Sequence, residues 1–185
     1  KQGLRDGLPE QPGPFDRIVL GASGVALGAW VVGIPAPVSG WLLALAAVLQ
    51  TARLARWRGW RTLADPLVAV LHLGYAWIPV GLAALSAALL LDRPPVSVAV
   101  HCLTAGGMAT LILAVMSRAT LGHTGRPLAA GPATVAIYAL VTAGALLRVF
   151  APLVLDNPFA GLELAALLWG GAFALFAAVY APLLF

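Results

Sequence analysis

An all-α, polytopic membrane bundle of six transmembrane helices is the fold this sequence predicts, and three observations predict it. The first is composition: of 185 residues, 61% are hydrophobic and only 10% charged, with a mean hydropathy of +0.94. A soluble domain carries about 25% charged residues. The second is the recurrence of apolar runs of membrane-spanning length, separated by short segments rich in Pro, Gly and Asp. In lipid, a helix satisfies its own backbone where irregular chain does not. The third is charge placement. Lys1, Arg5, Arg17, Arg53, Arg56, Arg58, Arg61, Arg118 and Arg126 fall on one set of alternate connections, and Arg93 alone on the other. Positive loops stay cytoplasmic, so both termini are expected inside, and the arginine-rich apolar composition suits a bacterial inner membrane.

Residues 1–17 read as a polar N-terminal tail or inter-helix loop, and 18–185 as the six-helix transmembrane domain. The first run, 18–34, carries Gly21, Gly24 and Gly28 at helical spacing, a smooth stripe suited to helix contact. After Pro35-Ala36-Pro37 the second run, 38–54, ends near Gln50 and Thr51. Arg53, Arg56, Arg58 and Arg61 then interleave with Trp57 and Trp60, the composition of a membrane–water interface. Asp65 is placed to cap a third helix that Pro66 opens; it runs to about residue 91 with His72, Tyr75 and Trp77, and Pro79 inside it predicts a kink.

The fourth helix begins beyond Asp92-Arg93-Pro94-Pro95 and runs as 98–116. It gives way to a polar connection, SRATLGHTGRP, holding Arg118, His123, Thr124, Gly125 and Arg126. Pro132 opens the fifth helix, 132–155, which contains Arg148. The sixth, 162–185, has Glu163 near its start. The net charge of +4 resides in short loops beside apolar spans and gives no sign of nucleic-acid binding. Cys102 is the only cysteine, which excludes an internal disulfide and covalent haem attachment through a C-x-x-C-H motif, so any haem is bound non-covalently.

Ionisable groups inside a membrane are costly and mark function. At 1.5 Å per helical residue, His72 lies roughly 10 Å from the cytoplasmic face and His101 roughly 7 Å from the opposite face. They are then roughly 13 Å apart along the normal, too far to share one metal ion whose bonds to nitrogen are about 2 Å. The polar residues sort into an outer group of His101, Arg148 and Glu163 and an inner group of His72, Arg118, His123 and Arg126. Arg148 and Glu163 are expected to pair across the fifth and sixth helices. Thr104, Ala105 and Met108 share a face with His101, and Gly106 and Gly107 adjoin it; such small residues could admit a flat macrocycle or another helix. Cys102, His101 and Met108 alone point too far apart for a copper site.

Three stretches carry a resemblance: WRTLADPLVAVLHLGYAWIPVGL at 60–82, HCLTAGGMATLILAVMSRATLGHTGRPL at 101–128, and the closing YAPLLF. They resemble the NnrS family of bacterial membrane proteins, which are associated with haem, copper and the response to nitric oxide. The resemblance implies His72, His101 and His123 as haem or copper ligands, with Arg118 and Arg126 as partners for an anion such as a haem propionate. It implies b-type haem, copper as a second metal, nitric oxide as ligand and the lipid bilayer as surroundings. Members are about twice this length, so the chain resembles a C-terminal half whose sites a missing N-terminal half would complete. From depth and arginine supply, His72 is expected to ligate haem and His101 to belong to a second site. The competing functions are a membrane oxidoreductase passing electrons through b-type haem and a small-solute or metal transporter using Arg148, Glu163 and His101.

Overall fold

The computed structural model describes residues 13–184, so most of the 1–17 tail lies outside the described residues. The described chain is helical throughout: α1 (Pro14–Val31), α2 (Ala36–Arg56), α3 (Pro66–Leu91), α4 (Val96–His123), α5 (Pro132–Val154) and α6 (Phe159–Tyr180). Short 3₁₀ turns at Gly59–Thr62 and Ala181–Leu183 precede α3 and follow α6.

Five of these helices, α2 to α6, are long and apolar enough to cross a membrane. The exception is α1. It starts earlier than the apolar run, at Pro14, because Gly13 N–H donates to the Asp16 carboxylate at 2.9 Å and closes the first turn. Asp16 and Arg17 therefore fall inside the helix. Its apolar part from Ile18 to Val31 extends about 21 Å at 1.5 Å per residue, short of a hydrocarbon core of about 30 Å.

Asp65 caps α3 as expected, accepting from the Leu67 amide at 3.0 Å, with Pro66 at the first helical position. Pro79 is buried inside the same helix. The polar connection after the fourth run begins later than the sequence suggests. The helix continues to His123, so Arg118 and His123 belong to its last two turns. Gly125, at φ 66°, ends it: the Arg126 amide donates back to the Leu121 carbonyl at 2.9 Å, the long bond of a Schellman turn that needs a left-handed residue. Residues Cys102–Met108 of α4 form a π-helical turn, which apolar periodicity did not disclose.

The core has two lobes joined by α3. On one side Ala26, Leu43, Ala46 and Ala47 of α1 and α2 pack on Leu82 and Leu85. On the other, Leu67 and Val70 meet Leu113, Ala114, Ile137, Val141, Ala172 and Tyr180. A third cluster, Trp77, Val98, Cys102, Ala145 and Val149, fills the space beside the π turn.

Glycine use differs from the expectation. Gly21, Gly24 and Gly28 are exposed, and a Cβ on any of them would meet nothing within 4 Å, so the stripe carries no helix contact within the described residues. The close approach occurs at Gly144, where a Cβ would lie 2.8 Å from the Trp169 amide nitrogen and 3.0 Å from the Ala165 carbonyl. Both obstacles are backbone, which no rotamer change relieves. Gly144→Ala is expected to destabilise by about 1–3 kcal/mol, whereas Gly24→Ala should stabilise by about 0.5–1 kcal/mol. Thermal unfolding of the two variants in detergent, followed by far-UV circular dichroism, checks the opposite signs.

Candidate functional site

His101 and Arg148 come together from α4 and α5. The Arg148 guanidinium donates from Nη2 to His101 Nε2 at 2.9 Å, and His101 Nδ1 lies 2.5 Å from the Ser97 carbonyl of the preceding turn. A carbonyl only accepts, so Nδ1 carries the proton and Nε2 presents its lone pair to the arginine. The outer group foreseen from depth is thus half assembled. Glu163 is not in it, and the expected Arg148–Glu163 pair does not form. Glu163 is exposed on the second turn of α6, about 6 Å from the helix start.

The remaining copper-type donors near His101 point elsewhere. Cys102 is buried against Trp77, Val98, Ala145 and Val149, and Met108 faces outward into a groove shared with Met116. Among the described residues no group of three or more His, Cys, Asp or Glu side chains could hold a metal ion. His101, Cys102 and Met108 alone therefore supply no such group.

His72 stands at the other end of the bundle, nearly two turns into α3. Its Nδ1 donates to the Val68 carbonyl at 3.0 Å, which fixes the tautomer and leaves Nε2 as an acceptor. The ring is half-buried, edge-on to Trp57 with centroids 6.0 Å apart, and seated over Gly59, where any side chain would collide with it. His123 and Arg126 are exposed and Arg118 is half-buried, on the closing turns of α4 and beyond. No hydrogen bond or ion pair joins these three side chains to His72 among the described residues. The guanidinium groups of Arg118 and Arg126, near the C-terminus of α4, complement its dipole.

A polar chain that sequence reading missed lies beside His72. Asp16 accepts from Arg53 Nε at 2.8 Å, the only ion pair among the described residues. Arg53 Nη1 donates to the Tyr75 hydroxyl at 2.5 Å, Tyr75 donates to Gln50 Oε1, and Gln50 Nε2 donates to Ser23 Oγ at 2.8 Å. Ser23 closes the chain on the Val19 carbonyl at 2.8 Å. The Arg53 guanidinium also lies 4.9 Å from the Trp57 ring centre, and Trp57 packs on Tyr75 at 4.6 Å. Three helices are clamped together at this end, with the Trp57–Tyr75 pair forming one wall next to His72. The missed signal was depth combined with phase: Gln50 and Arg53 are three apart on one helical face, at the level of Asp16 and Tyr75.

The class is now defined: a multi-pass membrane bundle with one histidine at each of two levels, one bonded to an arginine and one with its Nε2 engaged by no described residue. The chain belongs to the NnrS family, whose sequence model, described as NnrS protein, matches residues 2–185. No curated protein and no solved structure matches it.

Proposed function

We propose that this chain is a haem-binding membrane protein of the bacterial inner membrane that acts in the response to nitric oxide. The observation that carries the reading is the geometry of His72: Nδ1 is held by the Val68 carbonyl and Nε2 is engaged by no described residue. An axial ligand needs a ring nitrogen left open in that way, and a carbonyl behind the ring raises its basicity. Haem iron with an exchangeable axial position binds nitric oxide. Trp57 walls the ring on one side, and its packing on Tyr75 and the polar chain through Arg53 hold it there. Arg118 and Arg126 belong to the same end of the bundle and supply cations for propionates, with His123 beside them. Purified full chain supplied with haem should show a Soret band and, after dithionite reduction, a further shift with nitric oxide. Absence of any bound haem after supplementation refutes the reading.

In this reading α1 crosses with the other five helices and both termini are cytoplasmic. The charge asymmetry supports it, as does the pairing of α1's first turn with Arg53 at the arginine-rich end. Single cysteines at positions 64 and 96, with Cys102 replaced, should be labelled from the cytoplasm and the periplasm respectively. Periplasmic labelling at 64 would invert the topology.

A further inference from the structure

Arg148 sits about 9 Å from the end of α5 in the membrane interior, a permanent cation in a setting where a charge is stable only when it is matched. No carboxylate matches it among the described residues: the one ion pair is Asp16–Arg53, and Glu163 faces outward. Its hydrogen-bond partner is the lone pair of His101, which orients the guanidinium without neutralising it. A guanidinium has five N–H donors, and that contact uses one.

Arg148 borders a cavity of about 220 Å³ whose other walls are Ala105, Gly144, Leu162, Ala165, Ala166 and Trp169. The Trp169 indole N–H is committed to the Ala105 carbonyl at 3.3 Å, so the ring is a fixed wall. Pockets for drug-sized ligands measure about 300–1,000 Å³, whereas a water takes about 30 Å³, so this smaller space fits an ion of a few atoms with some of its water. Apolar walls and a single uncompensated positive charge select for an anion of one negative charge.

We propose that this cavity binds a small monovalent anion of the size of nitrite or chloride, held by Arg148, with His101 as the residue that positions the guanidinium. The site is separate from His72 and does not depend on haem being bound.

Isothermal titration of the full chain in detergent, in a gluconate buffer, with sodium nitrite and sodium chloride in separate runs, tests it. The wild type should take up anion saturably at one site. Saturation by nitrite alone would identify recognition of two oxygens by the arginine fork; equal saturation by both would identify recognition of charge. Arg148→Gln should weaken binding at least about tenfold through loss of the charge-assisted bonds, and Arg148→Lys should retain part of it. Ala166→Trp fills the cavity, leaves the Arg148–His101 pair in place, and should abolish uptake. An anion bound at a haem iron would survive Ala166→Trp, which separates the two sites and decides the matter should Arg148→Gln fail to fold. No saturable uptake by the wild type, or unchanged affinity in Arg148→Gln or Ala166→Trp, overturns the proposal.

Discussion

Replacing His72 with alanine is expected to remove the Soret band from the purified protein, and replacing His101 is expected to leave it in place. The two histidines share a tautomer, with Nδ1 bonded to a backbone carbonyl one turn back. They differ at Nε2. At His101 that atom already accepts from Arg148, so ligation there must first displace a guanidinium; at His72 it is free. Added imidazole should restore part of the band in His72→Ala, since it returns the ligand without the tether, and that recovery separates ligation from a folding defect. Loss of haem from the His101 variant with retention in the His72 variant would reverse the assignment.

The second large effect is expected at the clamp between α1, α2 and α3. Tyr75 is 9% exposed and Gln50 3% exposed, and the tyrosine hydroxyl is the link between Arg53 and Gln50. Tyr75→Phe keeps the ring against Trp57 but leaves the Gln50 carbonyl oxygen without its donor. The cost is expected to be about 1–3 kcal/mol, that of an unsatisfied buried polar group. Arg53→Leu should cost more, because it releases Asp16, Tyr75 and Trp57 at once. Thermal unfolding in detergent orders the two, and Arg53→Leu proving milder than Tyr75→Phe would remove the arginine from the centre of the clamp. If haem sits at His72, both variants should also shift its spectrum, since Trp57 forms the wall beside that ring.

Helix existence was legible in the sequence because lipid leaves a chain few options: a long apolar run must be helical, and Asp65-Pro66 announces its own start. Ends were less legible. Arg118 and His123 read as loop because they are polar, yet a helix emerging from the membrane continues until a left-handed residue stops it, here Gly125. The two levels of polar residues followed from rise per residue alone, and His101 and Arg148 meet as depth arithmetic suggested. Depth does not report direction around a helix. That is why Glu163 was matched to Arg148, and why Gln50 and Arg53 near the end of the second run and Tyr75 in the third helix were not recognised as one chain reaching Ser23.

The π turn at Cys102–Met108 has a consequence that concerns chain length more than side-chain identity. Each residue advances a helix by about 100°, and a π turn holds one more residue than the α turn it replaces. Everything on the His101 side of it is therefore rotated by about that angle relative to an uninterrupted helix. Deleting one residue between 102 and 108 would take out that extra residue, so the segment could return to ordinary pitch with Leu113, Ser117 and Leu121 in their seats and His101 still facing Arg148. Relaxation of the undeleted segment to ordinary pitch would instead swing His101 by about 100° away from Arg148, with none of its own neighbours substituted.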